Sequence, residues 1–351
     1  MERPQTRNIL RNTTAGILAV TAIGGTVEAT HAELKPVAPI VAMVAETVAP
    51  VINIKTLTPS QLPDLSATLH TDLANALQDY TGNIDIAIRD RNTGQVIEYT
   101  NVENAAGKTY DTASTIKFAT VAKLLLVNQA NGITLGVEGN QQFPDFPANI
   151  PLTVEQLMHV IPTIERSSDD DESWVWTELG GATALDDLYK SIAHTSNTAA
   201  EPNGQWGWSQ TDALDQINTV ALLSDPDSPL LPESKFVLNF LLDHVQNQGE
   251  KGEDNQHWGI SGGVPKGVTV REKEGWMNYT GKTTGPWTIN SEGTVDDGNG
   301  NDGVIYDMAV YSEGNETMQS GIAISETAAT VVWHDMSQAA LTNRPHAGGG
   351  R

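Results

Sequence analysis

The chain has 351 residues and no cysteine. Disulfides, thiolate metal sites and cysteine nucleophiles are therefore excluded. Basic residues are scarce: 20 Lys and Arg stand against 44 Asp and Glu, a net charge of −24. Such a field disfavours nucleic acid and anionic membrane surfaces as partners. No internal repeat is visible. The acidic run Asp169-Asp170-Asp171-Glu172 lacks the Asp-x-Asp-x-Asp-Gly pattern with a closing Glu that a calcium loop needs, so no metal is expected. A long apolar run is also missing. The uncharged stretch 14–27 is too short for a confident membrane span. With Arg3, Arg7 and Arg11 before it and small residues after it, it reads as an export leader over 1–32, cleavable after Ala29 or Ala32. Pro36, Pro39, Pro50, Pro59 and Pro63 then mark a linker over 33–63.

An apolar fraction of 39% is enough to bury a sizeable core in one large domain or two modest ones. Leu65, Leu69, Leu73 and Leu77 recur every four residues and predict one face of a helix. Ile84, Ile86 and Ile88 alternate with Asp85, Ala87 and Arg89, and Asn92-Thr93-Gly94 turns the chain into a returning strand at 96–99. Residues 132–151 read as a loop, and Thr153 as the cap of a following helix. Helices are expected over 185–189, 211–223, 233–245 and 321–336, and strands over 268–276, 287–291 and 305–311. The tail over 338–351 is expected to be disordered.

The stretch around which this order is arranged is Tyr110-Asp111-Thr112-Ala113-Ser114-Thr115-Ile116-Lys117, followed by apolar residues 118–127. A helix starting at Ser114, capped by Asp111 or Thr112, places Ser114 and Lys117 on one face. A serine hydroxyl is a poor nucleophile at neutral pH and needs a base in reach. A lysine can serve when burial lowers its pKa. Downstream lie Ser167-Ser168-Asp169-Asp170 ahead of Leu179-Gly180-Gly181, and Lys273-Glu274-Gly275 on a strand.

Ser-x-x-Lys, a Ser-Asp-x segment and Lys-x-Gly, in this order, resemble the signature of class A β-lactamases and penicillin-binding proteins. The likeness runs over about residues 65–336 and includes the hairpin at 84–99, Trp206-Gly207-Trp208-Ser209-Gln210-Thr211 and Gly263-Val264-Pro265. It implies an α+β, β-lactamase-like fold: an antiparallel sheet flanked by the terminal helices, plus an all-helical subdomain carrying the nucleophile helix. The domain is expected over 64–337. The resemblance also implies an exported, cofactor-free serine hydrolase, expected as a monomer, acting on a small-molecule or peptidoglycan-type substrate. Ser114 matches the acyl-forming nucleophile and Lys117 its base. Ser168 is the preferred match for the second serine, because Ser168-Asp169-Asp170 keeps Asp in second place. Counting back from Gly180-Gly181 leaves Ser167-Ser168-Asp169 as another reading, and Ser196-Asn197 is a rival. Lys273 is preferred over the Lys282-Thr283-Thr284-Gly285 stretch, which falls in a turn.

Three departures stand out. Asp170 replaces a substrate-binding Asn and cannot donate from its side chain. Glu274 replaces the Thr before the substrate-binding Gly275. The Glu-x-x-Leu-Asn setting of the class A deacylating base is missing, which leaves Glu201 in Glu201-Pro202-Asn203 as the candidate. These departures support an alternative reading, a weak or inactive module that binds cell-wall components.

Overall fold

The computed structural model describes residues 63–245, 256–279, 286–300 and 303–343. The leader expected over 1–32, the linker expected over 33–63 except Pro63, and the Lys-Thr-Thr-Gly stretch at 282–285 lie outside them. Helix α1 (Pro63–Ala76) opens with a proline, which fits the first helical position because its missing N–H would be unbonded there anyway. Leu65, Leu69 and Leu73 within it and Leu77 just after it are buried, as their spacing predicts. The hairpin follows as β1 (Asn83–Asp90) and β2 (Val96–Thr100). At its turn the Asp90 carboxylate accepts from Asn92 N and Thr93 Oγ1, and Gly94 takes a positive φ of 74°.

The middle of the chain supplies a two-residue strand β3 (Tyr110–Asp111), then helices α2 (Ile116–Ala130), α3 (Gly136–Gln142), α4 (Val154–Glu165), α5 (Asp169–Leu179) and α6 (Ala182–Asp187). Next come β4 (Gln210–Thr211), α7 (Ala213–Ser224), α8 (Pro232–Asp243) and the short α9 (Ile260–Gly263). Helix α3 lies inside the expected loop at 132–151. Its apolar content is low, and its place is fixed by backbone bonds from Leu135 N and Gly136 N to Ile150 O and Ala148 O. Thr153 caps α4 in a reciprocal capping box with Gln156. Gly180 ends α5 in the left-handed conformation at φ 86°.

The chain closes with β5 (Thr269–Asn278), β6 (Trp287–Asp296), β7 (Ile305–Asn315) and α10 (Met318–Asn343). The sheet order is β2-β1-β7-β6-β5, antiparallel throughout. One face carries Ile84, Ile86 and Ile88 into a core shared with α1 and α10. The other presents Ala87 and Tyr311 to Tyr110 and Ile217. A separate helical core gathers residues of α2, α4, α5 and α8. This is the α+β arrangement the sequence predicts. Of the tail expected to be disordered over 338–351, the described part 338–343 is corrected: it continues α10, with Ala339 and Ala340 packed against the sheet-side core, and 344–351 lie outside the described residues. Among the described residues no helix is long and apolar enough to cross a membrane.

Candidate active site

The turn that carries Ser114 is held by its neighbours rather than by a cap. Strand β3 pairs with β4, and Thr112 N donates to Ser209 O at 2.8 Å. Ala113 then takes φ 49°, a conformation costly for a residue with a Cβ and maintained only where the surroundings enforce it. A single 3₁₀ turn, Ala113–Thr115, leads into α2. Neither Asp111 nor Thr112 caps it, contrary to expectation; no side-chain cap bond exists at Thr112. Instead Asn290 on β6 donates from Nδ2 to Asp111 O at 2.8 Å and Thr112 O at 3.1 Å. Thr115 Oγ1 reaches Thr112 O and the Tyr311 hydroxyl, both at 2.8 Å. Strand β5 presses on the same turn at Gly275. A Cβ there would sit 2.7 Å from Thr112 O, 2.8 Å from Thr115 N and 2.9 Å from Ser114 N. Only glycine permits this approach.

Lys117 is fully buried, and Ser114 is 9% exposed. The Lys117 amine lies 3.0 Å from Ser114 Oγ, 2.6 Å from Ser167 O, 3.1 Å from Ser167 Oγ and 2.7 Å from Asp169 Oδ1. It also sits 4.8 Å from the Trp206 ring centroid. Burial pulls the amine below the ordinary lysine pKa, and the Asp169 carboxylate opposes that pull. Lys273, also buried, reaches Ser167 Oγ at 3.2 Å, Gln256 Oε1 at 3.0 Å and Glu274 O at 2.9 Å. Desolvation brings its pKa down to about 8. One hydroxyl, Ser167 Oγ, therefore stands between the two lysines.

This geometry corrects the preferred second serine. Among the described residues no hydrogen bond joins Ser168 to either lysine. It caps α5, accepting from Asp171 N and donating to Asp171 Oδ2. Ser167, one residue earlier, adopts φ 53° and turns its hydroxyl toward Lys117 and Lys273. Asp170 is exposed on the first turn of α5. The acidic side chain at Lys117 is instead Asp169, with 75% of its side chain exposed. The sequence carried a signal for this. A serine followed by four acids is a strong N-cap with charges that suit a helix N-terminus, which assigns Ser168 to capping and frees Ser167.

Glu201, the expected deacylating base, binds its own loop. Its carboxylate accepts from Asn203 N at 2.8 Å, Asn203 Nδ2 at 2.6 Å and Gln205 N at 3.0 Å. No hydrogen bond or ion pair among the described residues joins it to Ser114 or Lys117. The Ser196-Asn197 rival is likewise structural: both backbone amides donate to the Asp215 carboxylate. Glu274 does lie beside Lys273, but its carboxyl is completely buried.

Sequence reasoning missed Glu172. This carboxyl is fully buried on α5 and accepts from Thr120 Oγ1 at 2.9 Å, while its other oxygen has no partner. Burial pushes its pKa up to about 8, and the Lys117 charge holds it down in part. Helical spacing could have found it, because Glu172 shares a face with buried Val175 and Trp176 three and four residues on.

No family model and no curated protein matches the sequence. Solved structures do match. PBP-A aligns at TM-score 0.59 and 16% identity, over 81% of this chain and 100% of its own. A class A β-lactamase from Bacteroides cellulosilyticus DSM 14838 aligns at TM-score 0.60 and 15% identity, over 78% and 99%. A PBP-A mutant in acyl-enzyme complex with penicillin-G aligns at TM-score 0.59 and 16% identity, over 78% and 97%. The chain has the β-lactamase-like fold that class A β-lactamases and PBP-A share.

Proposed function

We propose that the chain is an exported serine hydrolase working through a Ser-Lys acyl-enzyme on an amide or ester, either a β-lactam or a cell-wall peptide. The observation that carries this reading is the buried Lys117 amine 3.0 Å from Ser114 Oγ. A lysine whose pKa is lowered by burial is neutral more often at physiological pH and can take the Ser114 proton. Ser114 Oγ then attacks the carbonyl carbon. The Ser114 amide and the Trp276 amide of β5 receive the developing oxyanion. Ser167 passes the proton between the lysines and delivers it to the leaving group. Lys273 contributes positive field. The test is intact mass of the purified protein after incubation with penicillin-G, beside Ser114→Ala. A stable adduct on wild type alone supports slow deacylation on Ser114. Drug consumed without an adduct supports a turning-over β-lactamase. Intact drug and no adduct removes β-lactams as the substrate class.

A second reading, a weak or inactive module that binds cell-wall components, is favoured by one contact. Asp169 lies 2.7 Å from Lys117 and stabilises its charged form, which cannot accept a proton. Peptidoglycan binding with no acylation of Ser114 would favour it, and rapid turnover of any ester or amide at Ser114 would exclude it.

A further inference from the structure

On the other side of β5 from the Ser167 hydroxyl lies a cavity of about 220 Å3, many times the roughly 10–15 Å3 that one water needs. Leu242, Val245, Val268 and Val270 supply apolar wall, and Glu272 and Glu274 supply two carboxyls. Period-2 alternation explains why these two point together while Lys273 between them points toward Ser167. Glu272 accepts from Ser261 N at 3.0 and 3.2 Å and from Ser291 Oγ at 3.0 Å. Glu274 is fully buried, and no N–H or hydroxyl reaches either of its oxygens; its neighbour is the Glu272 carboxyl. Among the described residues the cations close by direct their hydrogen bonds elsewhere. Lys273 Nζ bonds Ser167 Oγ, Gln256 Oε1 and the Glu274 carbonyl oxygen, and Arg271 pairs with Asp243 at 3.0 Å. The exposed His257 also lines the cavity. Two adjoining buried carboxyls are unfavourable as anions, and the Lys273 charge beside Glu274 offsets that only in part. A cation entering the cavity would supply the direct partner that no described residue gives the Glu274 carboxyl. Among the described residues no cluster of three or more metal-ligating side chains is placed to hold a metal ion. The apolar wall suits a carbon stem.

We propose that this cavity is a subsite for an organic cation, a primary ammonium on a short alkyl stem, with Glu272 and Glu274 as its counter-charges. Gln256 borders the cavity and also bonds Lys273, so the subsite adjoins the Ser114 site. As a statement of substrate class, a cationic side group on the acylating substrate, it rests on Ser114 being the nucleophile. As a binding site it does not.

The test uses 15N-labelled full chain carrying Ser114→Ala, at pH 8, above the value of about 7 to which burial pushes Glu272. It is titrated with n-butylammonium and, separately, with butyrate, and the Ser261 and Gln256 amide shifts are followed. Saturable shifts with butylammonium and none with butyrate are expected. Glu274→Gln is expected to weaken binding about tenfold or more, and exposed Glu178→Gln to leave it unchanged. Val245→Phe, which fills the cavity without altering either carboxyl, is expected to abolish the shifts even if Glu274→Gln fails to fold. Saturation by butyrate alone overturns the proposal. So does equal weakening by Glu274→Gln and Glu178→Gln, which is diffuse attraction to an acidic chain, and so does unchanged binding in Val245→Phe. Because the tested protein lacks Ser114, failure here and failure of Ser114 acylation are separate results.

Discussion

Glu172→Gln should flatten the loss of stability that accompanies rising pH. The Glu172 carboxyl titrates near 8 in the folded chain, because burial disfavours its anion. In the unfolded chain it titrates near 4.3. A carboxyl with a raised folded pKa contributes stability that is full below the unfolded value and lost as pH rises through the folded value. Each pH unit inside that window costs about 1.4 kcal/mol. From pH 5 to pH 7 the wild type therefore loses about 2.7 kcal/mol through Glu172. For a domain of this size that is a fall of roughly 5 to 10 °C in Tm. Glu272 and Glu292, pushed to about 7 and about 8, tilt the curve the same way in both proteins. The difference between wild type and variant therefore isolates Glu172. Calorimetric melts of both proteins at pH 5, 6 and 7 read it directly. The variant is expected to lose less stability across that range by about 2 to 3 kcal/mol. Parallel pH dependences would refute the assignment of a protonated buried carboxyl at this position.

Two further outcomes follow from the site. Ser167→Ala should slow acylation of Ser114 by on the order of 100-fold or more, because it removes the hydroxyl between the two lysines. Ser168→Ala should leave acylation unchanged and cost about 1 kcal/mol as a lost helix cap; rates from time-resolved intact mass and urea melts separate the two. Gly275→Ala should destabilise by roughly 1 to 3 kcal/mol and depress acylation, because the new Cβ meets backbone atoms of Thr112, Ser114 and Thr115 that cannot swing aside. An unchanged melt and rate would contradict the close approach of β5 to the Ser114 turn.

The elements were legible where residue pattern and local physics agree. The leucine spacing of α1, the alternation in β1 and the Thr153 cap of α4 are all local, so they could be read without a partner. Spacing on one helical turn likewise placed Lys117 within reach of Ser114. Less was legible where backbone conformation decides direction. Ser167 and Ser168 are identical in composition, and only the positive φ at Ser167 and the capping role of Ser168 separate them. Glu201 was chosen for its place in the chain, and its loop amides claim its carboxylate.

Residue identity and local pattern set the terminal helices, the hairpin and the three late strands, the absence of thiol chemistry, the strong negative charge and the serine and lysines that carry the candidate chemistry. These follow from residue identity and from contacts a few positions apart. The tertiary structure decided which serine stands between Lys117 and Lys273, that Asp169 rather than Asp170 meets Lys117, and that Glu172 and Glu274 are buried. The contacts that decide the serine join segments 50 and 106 residues apart. No local pattern records which side chains such a meeting strips of water.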